Sequence, residues 1–345
     1  LGPRGNQRLC RPLSSSPPVA LWSLLPTSGL ERPAVVVGEN GMELSHRELQ
    51  DLSLSFAGRL TRDLGYGVGD KLAVVMGGHN CIESVIAHLG AAAAGITVVT
   101  SETPDDKALQ GCRGMLVSVT VLQGRSPQGI LMGEQHAPIV AHDDYVESSP
   151  PMSGSAPATA AHFWQRAGEC SPIDTSLVVT DPFIPLAIYG DAKASERRVT
   201  QGQMCQLAME MTQELSLSNL DRIVLAAPLH LPFGFGSSVL AALTCGGRVI
   251  LPSQSPYSLT HLLAAMKGEE ATVMMCDTHM LKLLNEDILS HTDKDTHSHL
   301  SSSTFRAGVV KVGSGNGFNL GPSRILWGVA LHTLGRPLPI SNRCS

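Results

Sequence analysis

The chain is 345 residues long, enough for one large domain or two smaller ones with ample core, and 43% of it is hydrophobic, as in a globular protein. No run of eighteen apolar residues occurs, which excludes a membrane-spanning helix, and a net charge of −5 gives no electrostatic reason to expect a nucleic-acid partner. Eight cysteines without a CxxC pair read as reduced, packed thiols of an intracellular protein rather than a disulfide scaffold or zinc site.

Residues 1–30 carry Arg4, Arg8, Arg11 and a triple serine at 14–16, with no acidic residue before Glu31. Such a leader is either a mitochondrial transit peptide or an unstructured Pro-rich segment, so localisation reads as mitochondrial in the first case and cytoplasmic in the second. Order is expected from Ala34. Ala34–Val37 and Met42–Leu44 form a hairpin around Asn40-Gly41, which supplies positive φ cheaply. Ser45 and Glu48 then make a capping box for a helix whose apolar face is Leu49, Leu52, Phe56, Leu60 and Leu64, closed by Gly65. Lys71–Met76 is a strand, Cys81–Ala94 a helix closed by Gly95, and Ile96–Thr100 the next strand.

Residues 101–180 are loop-rich, with strands expected at Val117–Leu122 and Pro138–Ala141. A strand at Leu186–Tyr189 leads through a polar connection to a helix starting near Thr200. Beyond it, the apolar runs Ile223–Ala227, Arg248–Leu251 and Ala271–Cys276 suit buried parallel strands, which lack in/out alternation. Helix-spaced Val239, Leu240 and Leu243, then Leu259, Leu262, Leu263 and Met266, fill the intervals, with C-caps expected at Cys245-Gly246-Gly247 and Lys267-Gly268. Strand–helix–strand order implies an α/β fold, a mostly parallel sheet with helices on both faces. His291, His297 and His299 sit in a polar stretch without fixed helical spacing and read as loop; no metal site is assigned. Gly313–Gly317 is discounted as a dinucleotide loop because no clear helix follows it.

Several of these segments resemble one family. Pro228–Gly236, then Ala241–Leu243 and Gly246–Leu251, are similar to the PLFHxFG…LxxGxxVVL stretch of the AMP-binding, adenylate-forming superfamily of acyl-CoA synthetases and coumarate-CoA ligases. Thr272-Val273 with Thr278–Leu284 resembles its TxxxxxPTMLxxLL, Met42–Leu49 its xxLTYxEL, Gly67–Val74 its GVxxGDxVAV, and Gly90–Val99 its GxxxAGAxVVP. The resemblance covers roughly 31–100 and 200–290 and implies that residues 31–317 form the large N-terminal domain of such enzymes, with 101–180 divergent. It implies a two-step reaction: a carboxylate attacks the α-phosphate of ATP to give acyl-AMP and pyrophosphate, then coenzyme A displaces AMP, with Mg2+ neutralising the phosphates.

The family's phosphate loop, YTSGTTGxPKG, corresponds to Gly190–Thr200, where the paired threonines are lost. Gly190, Lys193, Ser195, Arg197, Arg198 and Thr200 are the candidate phosphate contacts: glycine admits close backbone approach, hydroxyls donate, and cations offset Asp191 and Glu196. The alternative is a solvated connection that keeps the backbone route but not the site. In the PLFH stretch, the family's histidine position holds Leu231, and His230 is either its displaced equivalent or a hydrogen-bonded core histidine; Phe233 and Gly234 complete the expected pocket. The family's YGxTE and TGD segments, and its C-terminal domain with the catalytic lysine, have no counterpart in these 345 residues, and 318–345 read as a divergent tail. The expectation is an acyl-CoA synthetase-like protein, truncated and inactive alone; the alternatives are a working ATP-dependent carboxylate–CoA ligase that uses Lys193, Arg197 and Arg198 as phosphate contacts, and a non-catalytic binder of an acyl ligand or scaffold.

Overall fold

The computed structural model describes residues 18–78, 80–102, 111–118, 139–141, 161–162, 171–191, 194–253, 258–277, 279–284 and 305–311. The chain opens with β1 (Pro33–Val37), β2 (Glu43–Ser45), α1 (His46–Gly58) and β3 (Lys71–Val75). There follow α2 (Ile82–Ala94), β4 (Thr97–Ser101), β5 (Gly114–Ser118), β6 (Ile139–Ala141), β7 (Ala161–His162), β8 (Pro185–Asp191) and β9 (Ala194–Thr200). The last part holds α3 (Gln201–Glu214), β10 (Arg222–Ala226), α4 (a π-type stretch Phe233–Leu240 running into Ala241–Thr244), β11 (Arg248–Leu251), α5 (Leu259–Gly268), β12 (Val273–Asp277) and β13 (Ala307–Lys311).

Among the described residues these strands form two sheets, ordered β13-β12-β10-β11-β1-β2 and β7-β6-β5-β3-β4-β8-β9. All pairings are parallel except β1–β2 and β8–β9, as the near-continuous apolar strands require. The expected α/β architecture with a mostly parallel sheet holds, but the sheet is divided in two. One large core joins the inner faces: Val35, Ile223, Leu225 and Met275 from the first sheet, Leu72, Val74, Val98 and Ala187 from the second, with α1 to α4 between them. The alternate strand residues face outward, Val36, Val224, Ala226 and Met274 against α5, and Ala73, Val75, Val99 and Ile188 on the second sheet.

Local signals read from the sequence are met where the chemistry is local. Gly41 takes φ +70° in the β1–β2 turn. Ser45 Oγ accepts from Glu48 N at 3.2 Å while Glu48 Oε2 accepts from Ser45 N at 2.8 Å. Thr200 and Gln203 make a second such box at the start of α3. Gly246, at φ +73°, ends α4 as expected, but α5 runs through Gly268 and puts its left-handed residue at Glu270, φ +46°. Arg222 explains this: its Nε donates to Glu270 O at 2.8 Å and its Nη2 pairs with the Glu270 carboxylate at 3.3 Å, holding the strained residue.

Residues 18–30, expected as leader, include core. Leu21 is fully buried, its N–H donates to Gln201 Oε1 at 3.2 Å, and Trp22 Nε1 donates to Leu89 O at 2.9 Å. Arg4, Arg8, Arg11 and Ser14–Ser16 lie outside the described residues, as do His291, His297, His299, Gly313–Gly317 and the tail.

Helix α2 is buried along its whole length, sandwiched between the two sheets. Gly90 lets it meet α1, since a Cβ there would stand 2.6 Å from Ser53 O and 3.0 Å from the Phe56 ring. Its last carbonyls have no water to turn to. Ile96 N, Gln201 Nε2 and Val179 N satisfy those of Ala91, Ala92 and Ala93 at 2.8, 2.9 and 2.8 Å. His88 is the exception: it stacks on Phe235 with ring centroids 4.4 Å apart and its Nδ1 donates to Ser84 O at 2.7 Å, while its buried Nε2 has no hydrogen-bond partner.

At the N-terminal rim of the first sheet, Asp221 ties three strands together. Its carboxylate accepts from Arg306 Nε and Nη2, both at 2.8 Å, from Thr272 Oγ1 at 2.9 Å and from Ser218 N at 2.8 Å. Burial alone would raise this carboxyl, but the hydrogen bonds and charge of Arg306, with those of Ser218 and Thr272, outweigh it and hold it below the usual carboxylate range.

Arg306→Ala leaves Asp221 buried without its cation and is expected to cost about 3–5 kcal/mol in urea unfolding at pH 7. The loss relative to the native chain should shrink as pH falls through the lowered carboxyl value, because the protonated acid no longer needs the partner. Burial brings His88 down to about 4, so it is neutral when folded and binds a proton mainly when unfolded. Its contribution to stability is complete above about pH 6.5 and is lost as pH falls toward 4, by about 3 kcal/mol. His88→Leu should therefore flatten the acid limb of the stability curve over that window; an unchanged limb would show the imidazole is hydrated.

Candidate functional site

In parallel α/β sheets the free backbone and the loops at the carboxyl ends of the strands are where ligands bind. Here the carboxyl ends of β3 and β4, from one sheet, meet the segment after β10, from the other. Asn80, fully buried between β3 and α2, spans the gap: its Nδ2 donates to Ala227 O at 2.9 Å and its Oδ1 accepts from Leu229 N at 2.8 Å. Thr100 Oγ1, at the end of β4, donates to His230 O at 2.9 Å. Glu102, two residues on, brings Oε1 to 3.2 Å from His230 Nε2; the histidine side chain is 20% exposed and the glutamate 65%.

His230 is thus neither a sealed core residue nor a free surface one. Its main chain is fixed from the second sheet and its ring lies half-buried at the rim. Phe233, also half-buried, starts α4 and its carbonyl accepts from Ser238 Oγ at 2.8 Å. Gly234 is dictated by space: a Cβ there would fall 2.0 Å from Pro228 O, so the helix can begin directly under the 227–230 segment only with glycine. His230, Phe233 and Gly234, the residues of the expected pocket, occupy the turn that leads from β10 into α4 at this rim.

The expected phosphate loop takes a different form. Instead of a strand, a loop and a helix, Gly190 ends up in β8 and Ser195 and Arg197 in β9, an antiparallel hairpin with Tyr189 opposite Arg197 and Asp191 opposite Ala194. The intervening Lys193 lies outside the described residues, and Gly190, Ser195 and Arg197 are described by their backbone alone. Arg198 is exposed, and Thr200 spends its hydroxyl on the amide of Gln203 at 3.2 Å, as the cap of α3. Register still brings this hairpin to the site, because Thr100 pairs with Tyr189 and so sets Gly190 beside the end of β4.

Asn80, Thr100 and Glu102 were not singled out in the sequence. The available signal was positional: an asparagine after Gly77-Gly78 at a strand-to-helix connection, and polar Thr100–Glu102 closing an apolar strand. Among the described residues no three His, Cys, Asp or Glu side chains gather as a metal site, and no helix is long and apolar enough to cross a membrane. Cys81, Cys205 and Cys276 are buried cysteines outside any disulfide among the described residues, and burial pushes Cys205 up to about 12, which makes it inert.

Residues 27–105 match the sequence profile of the AMP-binding enzyme family. No curated protein matches the chain. Among solved structures, apo MatB from Rhodopseudomonas palustris superposes with a TM-score of 0.69 at 14% identity, over 94% of this chain and 60% of that one. The anthranilate CoA ligase AuaEII in complex with anthranoyl-AMP gives 0.70 at 15% identity, over 94% and 60%. A benzoate CoA ligase from Burkholderia xenovorans LB400 gives 0.69 at 18% identity, over 93% and 58%. The chain therefore spans about 60% of the length of these enzymes. By sequence over residues 27–105, and by fold over more than nine-tenths of its length, the chain resembles the adenylate-forming AMP-binding enzymes.

Proposed function

We propose that this chain is an acyl-CoA synthetase-like protein whose cleft, between the carboxyl ends of β3, β4 and β8 and the Ala227–Gly234 turn, receives a carboxylic acid or its acyl derivative. The reaction of the lineage is ATP-dependent adenylation of a carboxylate followed by transfer to coenzyme A. The solved relatives include CoA ligases for anthranilate and benzoate, one of them holding an acyl adenylate, which supports a carboxylate as the ligand class.

The chain on its own does not complete adenylation in this reading. The observation that carries this is the β8–β9 hairpin. A phosphate cradle needs several backbone amides turned toward one point. Here Gly190–Thr200 is mostly paired strand, with only Ala192-Lys193 between the facing Asp191 and Ala194, so ladder pairing competes for those amides. Lys193, Arg197 and Arg198 supply the remaining route by which ATP phosphates could be held, as charges rather than as a nest. Mg2+, if used, would arrive with the nucleotide and require only one or two carboxylates from the protein. The same hairpin favours the second reading, a non-catalytic protein that binds an acyl ligand or acts as a scaffold.

Carboxylate-dependent ATP–pyrophosphate exchange on the full chain, scanned over acetate, medium-chain and aromatic acids with Mg2+, separates these readings. No exchange from folded protein is the expected result. Exchange that disappears in a Lys193/Arg197/Arg198 triple alanine variant would overturn the inactive reading and assign the phosphates to the hairpin. Acyl-ligand binding without ATP binding would favour the second reading.

A further inference from the structure

Three hydrogen bonds and one carboxylate–imidazole contact converge on the four residues Ala227–His230, and every one comes from the opposite sheet or its connections. Asn80 is fully buried and commits one amide N–H and its carbonyl oxygen to this backbone. Thr100 is 2% exposed and adds the bond to His230 O. Together they fix where the His230 Cα lies relative to the end of β4, and so place its ring over Glu102. A pair whose carboxylate is 65% exposed adds little to stability, so the Glu102–His230 contact is not explained by folding. A carboxylate on one ring nitrogen does something else: it fixes the proton on that nitrogen and the plane of the imidazole.

We propose that Glu102 is the orienting residue of His230, and that Asn80 and Thr100 are positioning residues that hold the main chain in the register this pairing needs. The four act as one unit that presents an aimed imidazole to the ligand in the cleft. The ligand class rests on the acyl-ligand reading above; the geometry does not. With Nε2–H donated to Glu102, the plane of the ring is fixed at the carboxyl end of β4, the strand end that Gly190 of the β8–β9 hairpin also adjoins.

The test measures carbethoxylation of His230 by diethyl pyrocarbonate in the full chain, by peptide mass spectrometry, with the exposed His279 as internal reference. Thr100→Val keeps shape and removes only the hydroxyl donor, and Glu102→Ala removes the carboxylate at an exposed position. Both should raise the His230 rate several-fold against His279 with thermal unfolding little changed, while Thr100→Ser and Glu102→Gln, which keep the polar atom, restore it. Equal His230 rates in native, Thr100→Val and Glu102→Ala proteins, all folded, would overturn the proposal. A second arm adds benzoyl-sulfamoyladenosine, a stable acyl-adenylate analogue, which should protect His230 in the native chain and bind about tenfold more weakly to Glu102→Ala. If the native chain does not bind the analogue, the acyl-ligand reading is what fails, and the reactivity arm still decides the positioning claim.

Discussion

Helix α2 has no side that faces water, and much of the molecule is arranged around that constraint. It lies between two sheets, so its small residues must admit close neighbours and its polar groups must find partners inside the protein. Alanines at 91–94 and glycine at 90 meet the first demand. Gln201, Trp22 and Val179 meet the second by donating to carbonyls of its final turns. These donors come from three distant parts of the chain, which is why the segment around Leu21 belongs to the fold. His88 is the residue this arrangement leaves with one nitrogen unsatisfied.

Polar residues are concentrated at the two rims, with different consequences. At the N-terminal rim Asp221 gathers the starts of β10, β12 and β13 through Arg306 and Thr272, a closed network with its oxygens fully used. At the C-terminal rim Asn80 and Thr100 tie one sheet to the other and leave a half-buried imidazole and an exposed carboxylate at the surface. The first arrangement stabilises the sheet. The second joins the two sheets at the carboxyl ends of their strands, where α/β folds bind ligands.

Much of the fold was legible where the governing interaction is short-range. The Asn40-Gly41 turn, the Ser45/Glu48 box, the Gly95 and Gly246 helix ends and the apolar strands all follow from residues a few positions apart. Not legible was that Gly190, Ser195 and Arg197 fall in paired strands, because the hydrogen bonds that make β9 come from β8 and not from any local preference. Asn80, Thr100 and Glu102 were passed over for a related reason. Each is unremarkable in its own segment, and its partner lies more than a hundred residues away in the chain.

The sequence by itself determined that this is an α/β protein of mostly parallel strands, where most helices start and stop, and which family it resembles. These depend on hydrophobic period, capping chemistry and turn residues, all read within one segment. Only the tertiary structure decided that the strands divide into two sheets with four helices between them, and that Val35 pairs with Val249 while Val98 pairs with Ala187. Buried parallel strands look alike from both faces, so nothing local selects their neighbours. The two sheets meet at their carboxyl ends through long-range hydrogen bonds that no stretch of the sequence contains.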